Sequence, residues 1–336
     1  MNAGQEETEM RLSQGLAAIA TCVAAMTAIS AFAQSYPTKP IRVITPYSGG
    51  GNSDLFLRIV TEEVAKSIGQ QVLIEPRPGA GGNIATEAVV RSDPDGYTLL
   101  MAALLLAINA SLYTKVKIDP LKDLTPVTLG ASGPYVMYGT AAVPAKTVAE
   151  LVALAKEKPG TINFGSLGVG SGPHLGGVLF GMQAGINIVH VPYKGFGQIL
   201  PDLVAGTVHF SFNGVGAAGG FVESGQMRML GYTGSRERYG KLEGLKGLNP
   251  VSDAVPGYDL FGYYGFWAPK GVPAPVLKKL HEEFAKAIKS EAVSARIMKM
   301  GMVPEALTPE ASQAFLAKDI EKWRTAVKAS GAKVDE

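Results

Sequence analysis

The chain has 336 residues, 31 of them basic and 29 acidic, for a net charge of +2. So mild a charge, without a cluster of basic residues, argues against a nucleic-acid-binding protein, while the length suffices for two α/β domains. The sole cysteine, Cys22, lies in a segment that we expect to be removed, so disulfides, cysteine nucleophiles and cysteine metal sites are excluded from the mature protein.

Residues 1–33 are predicted to be a cleavable export signal. No charged residue occurs between Arg11 and Lys39, and the segment is rich in Ala, Leu, Ile and Val. It ends in an Ala-Phe-Ala sequence that suits signal peptidase, with cleavage before Gln34. The acidic residues before Met10 are atypical of a signal, so either Met1 or Met10 is the natural start. We therefore expect a protein located in the periplasm.

Two other interpretations of this segment are less favoured. An uncleaved membrane anchor would need a more hydrophobic stretch, since Ala and Thr dilute this one. A lipoprotein anchor fits poorly with the residues that precede Cys22. Removing Arg11 and three glutamates leaves 30 basic and 26 acidic residues, a net charge of +4. The expected mature product is a mildly basic, monomeric globular protein without a later membrane span.

Along the mature chain, short apolar runs alternate with helical patterns. The run "IRVITP" predicts a buried strand, and the next helix ends at Gly69. Its apolar face is predicted to contain Phe56, Val60, Val64 and Ile68. "QVLIEP" and "GYTLLMA" predict two more strands, with the glycine loop and helix "RPGAGGNIATEAVV" between them. This order predicts a parallel sheet that is covered by helices.

A second set of elements starts near Tyr135. Thr147 and Glu150 predict a capping box for the helix "VAELVALAKEK". The strands "TINFGS", "INIVHVPY" and "VHFSFN" then alternate with the helices "HLGGVLFGMQAG" and "GFGQILPDLVAG". Two amphipathic helices, "PAPVLKKLHEEFAKAIKS" and "TPEASQAFLAKDIEKWRTAVKAS", close the chain. The buried face of the last helix is predicted to contain Leu316, Ile320, Trp323 and Val327.

Two similar α/β units with returning C-terminal helices predict two lobes. The first lobe comprises residues 34–134 and 257–336, and the second comprises residues 135–256. The lobes are expected to be joined by crossing strands near residues 132–138 and 258–267, which would act as the hinge.

Three glycine loops, at residues 48–54, 79–83 and 167–173, precede predicted helices. Helix N-termini carry unpaired N–H groups and about half a positive charge, so they bind anions such as phosphate or carboxylate. No loop reads G-x-x-x-x-G-K-[ST], which excludes a P-loop, and Pro173 interrupts a dinucleotide fingerprint in "GVGSGP". The alternative is that the glycines only make tight turns. Their recurrence in both lobes favours anion binding.

Asp54 follows the first glycine loop, where a carboxylate would repel an anion. We interpret it as the N-cap of its helix, accepting N–H bonds from the first turn. The alternative is that it pairs with the ammonium group of an amino-acid ligand.

Enzymatic chemistry has little support in the sequence. The histidines show no metal-ligand spacing and are His174, His190, His209 and His281. There is no G-x-S-x-G motif. Ser166 and Ser171 lie close to His174 in sequence, but no obvious acid would orient that histidine. We therefore predict no catalytic residue, no metal and no cofactor, and interpret His174 as a helix-start residue that donates or packs.

The order and spacing of four segments resemble a known family. They are "YPTKPIRVITPYSGGGNSD", "EPRPGAGGNIATEAVVRSDPDGYTLL", "INFGSLGVGSGPHLGGVLF" and "IVHVPYKGFGQILPDLVAG". The chain resembles the Bug family, the extracytoplasmic solute-binding proteins (TctC-like) of tripartite tricarboxylate transporters, from about Tyr36 to Lys333. The resemblance implies a type II periplasmic-binding-protein fold: two Rossmann-like lobes that hold a carboxylate in the cleft between them.

The resemblance also implies which residues hold the ligand. In the first loop they are Tyr47, Ser48, Gly49, Gly50, Gly51, Asn52, Ser53 and Asp54. In the second lobe they are Ser166, Leu167, Gly168, Gly170, Ser171 and His174. Wall or rim positions are Gly81, Gly82, Asn83, Tyr193, Lys194 and Asn213.

Several positions depart from the family pattern. Ser48 and Asn52 add polar groups to the first loop, and Ser53 replaces the usual Thr. Pro76 replaces an Asn, and Asn213 stands where an acidic residue is common. Because the last change bears on ligand choice, the resemblance does not name one ligand.

The function implied is capture of a small carboxylate in the periplasm and delivery to the membrane subunits of a tripartite transporter. The ligand would be a di- or tricarboxylate, an aromatic carboxylate or an amino acid. An alternative is a ligand-sensing subunit that presents its ligand to the sensor kinase of a two-component system. A remote alternative is a Ser/His hydrolase.

Overall fold

The computed structural model describes residues 36–47 and 52–334. The predicted export signal and residues 48–51 of the first glycine loop lie outside this part of the chain. The strands are β1 (Ile41–Thr45), β2 (Val72–Pro76), β3 (Thr98–Ala103), β4 (Leu124–Thr140), β5 (Ile162–Ser166), β6 (Ile188–Pro192), β7 (Phe210–Gly214), β8 (Met227–Tyr232), β9 (Phe261–Pro269) and β10 (Val303–Pro304). The α-helices are α1 (Asn52–Ile68), α2 (Asn83–Val90), α3 (Leu105–Leu112), α4 (Pro120–Asp123), α5 (Val148–Glu157), α6 (Gly172–Ala184), α7 (Phe196–Ala205), α8 (Gly219–Glu223), α9 (Arg236–Tyr239), α10 (Ala274–Lys289), α11 (Glu291–Lys299) and α12 (Pro309–Ser330).

The first lobe contains a mixed sheet whose parallel part is β2-β1-β3. β9 and the first part of β4 extend this sheet in antiparallel fashion. α1 and α10 cover one face, where Phe266 lies 5.9 Å from Phe56 and 4.5 Å from Phe284 between ring centroids. These three rings are buried, so apolar burial holds the two helices against the sheet.

The second lobe repeats the arrangement around β5, which pairs in parallel with β6 and β7. β7 and β8 lie antiparallel to the second part of β4. α6 packs on this sheet through Phe180, whose ring centroid lies 5.6 Å from that of Phe210 and 6.3 Å from that of Phe212. The carboxyl ends of β1 and β5 thus lead into α1 and α6 in the same way.

β4 connects the two sheets. Its residues 124–134 pair with β9, and its residues 135–140 pair with β7 and β8. The predicted crossing segment at residues 132–138 therefore lies on one continuous 17-residue strand. The division of the chain at residue 134 remains a prediction.

The last helix, α12, begins as a Thr-capped helix. The Thr308 hydroxyl accepts a hydrogen bond from the Ala311 amide at 3.2 Å. The predicted buried face is confirmed: its members, all buried, are Leu316, Ile320, Trp323 and Val327. Asp319 on the same face is also buried, and it accepts hydrogen bonds from Tyr263 and Trp323. The helix thereby anchors β9.

Some elements differ from the prediction. α3, α11 and β8 were not predicted, and α3 was missed because it continues the apolar run of β3 without a polar cap. The capping box is only half formed. The Thr147 hydroxyl accepts from the Glu150 amide, but the Glu150 carboxylate accepts from the backbone amide of Lys146 rather than from that of Thr147. In the described part of the chain, no helix combines the length and apolarity that crossing a membrane requires.

Candidate functional site

A cavity of about 330 Å³ lies between the two lobes. From the first lobe and the crossing strands it is lined by Tyr47, Asn52, Ser53, Ala103, Leu104, Leu105, Gly133, Pro134, Gly262, Tyr263, Tyr264, Met300, Gly301 and Met302. From the second lobe it is lined by Tyr135, Leu167, Ser171, Gly172, Pro173, Gly214 and Val215. The beginnings of α1, α3 and α6 therefore meet at one cavity.

The start of α6 is built around Ser171. This residue is the N-cap: its hydroxyl accepts a hydrogen bond from the His174 amide at 3.3 Å and donates one to the Gly168 carbonyl at 2.7 Å. The preceding loop turns through Gly168 and Gly170, which have φ of 102° and 79°. Both bonds of the Ser171 hydroxyl fix the loop. Because Pro173 has no N–H and the His174 amide is bound by the cap, the Gly172 amide is the donor that this first turn offers to the cavity.

Gly172 allows the first lobe to approach the start of α6. A Cβ at this position would lie 2.7 Å from a methyl group of Leu104 and 3.3 Å from the Tyr135 hydroxyl. Any larger residue would therefore push these side chains apart. The absence of a side chain on Gly172 thus lets the Tyr135 hydroxyl lie next to the first residue of α6.

The start of α1 contributes Asn52 and Ser53 to the cavity. Asp54 is the third residue of this helix, so its interpretation as the N-cap is wrong. Its carboxylate oxygens lie 3.1 and 3.0 Å from Nε of Arg58, one turn later, and it does not line the cavity. The positive end of the helix dipole stabilises a carboxylate in the first turn, so the position of Asp54 is explained without a ligand.

The start of α3 also faces the cavity, through Leu104 and Leu105. The Leu104 carbonyl accepts from the amides of Ala107 and Ile108, and no side chain caps the helix. The first amides of a helix have no intrahelical acceptor. α3 thus adds donors at a place that has no glycine signal in the sequence.

Four tyrosines line the cavity: the Tyr263 hydroxyl donates to Asp319, and the other three, Tyr47, Tyr135 and Tyr264, are protonated at neutral pH. Burial raises the pKa of Tyr135 to about 12. Burial, reinforced by the neighbouring Tyr264 and Tyr135, raises the pKa of Tyr47, and burial also raises that of Tyr264. At neutral pH all three are therefore uncharged groups that can donate a hydrogen bond to an oxygen of a ligand.

Two histidines, His174 and His190, pack together beside the loop that precedes α6. Nδ1 of His174 accepts a hydrogen bond from the Gly170 amide at 3.1 Å, and its ring centroid lies 4.0 Å from that of His190. Burial, together with the neighbouring His174, lowers the pKa of His190 to about 4, and burial lowers that of His174. Both rings are neutral at pH 7, as an acceptor for the Gly170 amide must be.

The two serines near His174 differ in their contacts with histidine and in their burial. Ser171 contacts the amide of His174 rather than its ring. Ser166 lies 2.6 Å from Nε2 of His190 and is completely buried. The Ser166–His190 contact fixes the end of β5. Among the described residues, no group of three or more metal-ligating side chains occurs.

Not all of the predicted ligand-binding residues line the cavity. Tyr47, Asn52, Ser53, Leu167 and Ser171 do. Those that lie outside its lining are Asp54, Gly82, Ser166, Gly168, Gly170, His174, Tyr193 and Asn213. Ser48, Gly49, Gly50 and Gly51 lie outside the described residues. That any of these residues contacts a ligand remains a prediction.

The residues outside the lining have other partners. The Tyr193 hydroxyl donates to Asp202, and the Asn213 side-chain oxygen accepts from the Gly214 amide at 2.7 Å. Gly82 is buried, and a Cβ there would lie 3.1 Å from Pro46. These three positions support the walls of their own lobes.

Part of the cavity lining that was not predicted from the sequence consists of Val215, Met300 and Met302, which we call the apolar wall. Gly301, with φ of 73°, turns the chain so that a Cβ on it would lie 2.7 Å from Cβ of Val215. The short β10, which follows, pairs with β4 and places Met302 beside Gly133. No local motif marks these residues, because they meet only through the tertiary fold.

Comparison with known proteins gives consistent matches over most of the chain. The sequence model of the tripartite tricarboxylate transporter family receptor matches residues 56–332. BugT of Bordetella pertussis (strain Tohama I) is 30% identical over 328 residues, which cover 97% of this chain and 100% of BugT. These matches confirm the predicted family resemblance.

Solved structures agree with the fold. Rpa4515 of R. palustris, solved with adipate, is 29% identical with a TM-score of 0.74, covering 89% of this chain and 100% of that one. MatC (Rpa3494) of Rhodopseudomonas palustris, solved with bound malate, is 27% identical with a TM-score of 0.70, covering 87% and 100%. The predicted two-lobe α/β binding-protein fold is confirmed.

Proposed function

This chain belongs to the tripartite tricarboxylate transporter receptor family, and we propose that it captures a small carboxylate between its lobes and delivers it to membrane transport subunits. The observation that carries the proposal is the convergence of helix starts from both lobes on one cavity. Such starts favour anions, because their amides are unpaired and the helix dipole is positive there. The adipate and malate held by Rpa4515 and MatC support a carboxylate as the ligand class.

The available donors are sufficient for useful affinity. A hydrogen bond to a charged acceptor contributes about 1.5–3 kcal/mol, so four of them contribute about 6–12 kcal/mol before the costs of binding. Micromolar affinity needs about 8 kcal/mol. Backbone amides and tyrosine hydroxyls therefore hold the ligand without an arginine. A carrier benefits from this arrangement because it must also release its cargo.

Opening of the lobes would bend β4, the strand that pairs in both sheets, near the start of β9. Arg238 of the second lobe donates to Glu305 of the first at 2.6 Å, and Glu305 also contacts Ser132 on β4. The Tyr239 hydroxyl donates to Ser132 at 2.8 Å. This network lies at the proposed hinge and would hold the lobes in their present relation until a ligand or a membrane partner shifts it.

The protein is proposed to bind its ligand without transforming it, and to do so in the periplasm. Burial of Ser166 supports the absence of hydrolase activity. The test is incubation of ester and amide analogues with the wild type and with Ser171→Ala: unchanged compounds are expected, whereas turnover that the substitution removes would restore the hydrolase alternative. Mass spectrometry of the exported protein is expected to give a mature chain that begins at Gln34.

Binding itself is tested by thermal unfolding and intrinsic fluorescence against a panel of carboxylates. Trp267 on β9 and Tyr47 at the cavity are the expected reporters, together with the predicted reporter Tyr193. A ligand at 100 times its Kd is expected to raise the free energy of unfolding by about 2.7 kcal/mol. The absence of any shift with mono-, di- and tricarboxylates, aliphatic and aromatic, would contradict the proposal.

A further inference from the structure

Among the described residues, those that line the interlobe cavity include no charged side chain. From this and from the apolar wall, we infer that the site selects a carboxylate with one negative charge and an apolar body over a dicarboxylate of the same length. The inference rests on the proposed function, because it concerns the same cavity. It applies to this chain alone, because Rpa4515 and MatC were solved with the dicarboxylates adipate and malate.

The absence of charge extends over the whole described lining. No Asp, Glu, Lys, Arg or His belongs to it. Every negative charge on a ligand must therefore be balanced by amide dipoles and neutral hydroxyls alone.

One group of donors lies around the start of α6, and the start of α1, with Asn52 and Ser53, is another. The Tyr135 hydroxyl and a Leu104 methyl group both lie against Gly172, as the contacts of a Cβ there show. Leu104 is in turn the N-cap of α3, so the first turns of α3 and α6 are neighbours. One carboxylate with two oxygens can use the donors of this group. A second carboxylate on the same ligand would have to lie elsewhere in the cavity.

Another part of the lining is the apolar wall. Met302 is 7% exposed and Val215 contacts the Gly301 turn, so their surfaces are hydrocarbon and thioether. The ring of Tyr264 continues this surface and stacks on Phe56 with a centroid distance of 5.3 Å. A carboxylate placed here would lose its hydration without a cation to replace it, which is unfavourable. An alkyl or aryl group would instead gain from burial, and flexible methionines adapt to its shape.

The tyrosine hydroxyls do not alter this preference. Because the pKa values of Tyr47, Tyr135 and Tyr264 are all raised, these groups remain neutral at the pH of binding. They can hydrogen-bond a ketone, hydroxyl or ester oxygen, but they do not neutralise a charge. The expected ligand is therefore a small monocarboxylate with an alkyl or aryl body, with or without a neutral oxygen.

The test compares three probes of similar length by isothermal titration calorimetry at pH 7.5. Hexanoate has one negative charge and adipate has two. Monomethyl adipate is adipate with one carboxylate converted to a methyl ester, so it keeps both oxygens of that group but not its charge. We expect hexanoate and monomethyl adipate to bind at least 10-fold more tightly than adipate. The ester separates the effect of charge from that of size.

A pair of variants tests whether the apolar wall causes the preference. Met300→Lys places a cation in the lining at the end of α11, where a positive charge also suits the helix dipole. We expect it to tighten adipate binding at least 10-fold relative to hexanoate. The matched control is Met298→Lys, the same change two residues earlier at a side chain that is 50% exposed and outside the lining. It is expected to change neither affinity by more than twofold.

Two results would overturn the inference. One is wild-type protein that binds adipate as tightly as hexanoate or more tightly. The other is a Met300→Lys variant that melts normally and keeps the wild-type preference. In both cases carboxylate binding, and so the proposed function, would stand. Failure of all three probes and of the wider carboxylate panel would instead contradict the proposed function.

Discussion

Two glycine loops that look alike in the sequence have different surroundings in the fold. Residues 79–82 precede α2 and residues 167–171 precede α6, and both loops contain glycines with positive φ. Leu167 and Ser171 of the loop before α6 line the interlobe cavity, whereas no residue of the loop before α2 does. A glycine loop before a helix is therefore an insufficient sign of a ligand site.

The glycines of the loop before α2 make room for neighbouring parts of the same lobe. A Cβ on Gly81 would collide with the Tyr113 hydroxyl, and the Gly81 carbonyl accepts from Asn109 of α3 at 2.9 Å. At the start of α6, by contrast, Gly172 makes room for Leu104 at the edge of the cavity. Glycine indicates that something approaches the backbone closely, and only the tertiary fold decides whether this is a neighbouring helix or a ligand.

A negative charge at the start of each helix gives the largest expected contrast. Ser171→Asp keeps a good N-cap but places a carboxylate in the cavity lining, so we expect ligand affinity to fall at least 100-fold, about 2.7 kcal/mol, without loss of thermal stability. Ile84→Asp puts the same charge in the first turn of α2, at a side chain that is 49% exposed. It is expected to change affinity less than twofold by calorimetry. Equal losses in both variants would contradict the distinction between the loops.

Acid is expected to destabilise the loop of α6 through its histidines. The pKa of His190 is about 4 in the folded protein and about 6.5 in the unfolded chain, which therefore binds more protons between these values. The stabilisation is complete above pH 6.5 and is lost as the pH falls from 6.5 through 4, by about 3 kcal/mol for this group. Denaturant unfolding across this range should show the loss, and His190→Gln should reduce it. An unchanged slope in the variant would show that His190 is not responsible.

Replacing one glycine in each loop separates stability from binding. Gly170→Ala and Gly81→Ala each force a side chain into positive φ, at 79° and 60°, which costs about 1–3 kcal/mol. Both variants should therefore melt earlier. Only Gly170→Ala should also weaken ligand binding, by about three- to tenfold, because its loop carries Ser171 into the cavity lining. A similar loss of affinity in Gly81→Ala would mean that the loop of α2 contacts the ligand after all.

Removing the Ser171 cap has the smallest expected effect. Ser171→Ala deletes the hydroxyl that accepts from the His174 amide, so the free energy of unfolding should fall by about 1 kcal/mol. Affinity should change only a few fold, because the amides of the first turn remain. A loss as large as that in Ser171→Asp would instead mean that the hydroxyl itself binds the ligand.

Much of the fold could be predicted from periodicity in the sequence. The apolar face of α1 is an example, since Phe56, Val60 and Val64 are all buried as expected. α3 could not be predicted, because "TLLMAALLLAINASL" runs from β3 into the helix as one apolar stretch whose N-cap is Leu104. Short apolar runs do not distinguish strands from helices, and only the packing of the fold decides.

The candidate site was predictable only in part. The polar starts of α1 and α6 have local signals, and the structure brings both to one cavity. The apolar wall has none: Met302 reaches the cavity because β10 pairs with β4, a strand about 170 residues earlier in the chain. Asp54 was misplaced because a helix boundary predicted from sequence is uncertain by a few residues, and the helix begins two residues before it.

The most direct test of convergent helix starts is a crystal structure of the mature protein with hexanoate bound. We expect its two carboxylate oxygens to lie about 3 Å from amide nitrogens in the first turns of both α1 and α6, with the alkyl chain against Met300 and Met302. A carboxylate bound outside this cavity, or one that contacts neither helix start, would contradict the central claim.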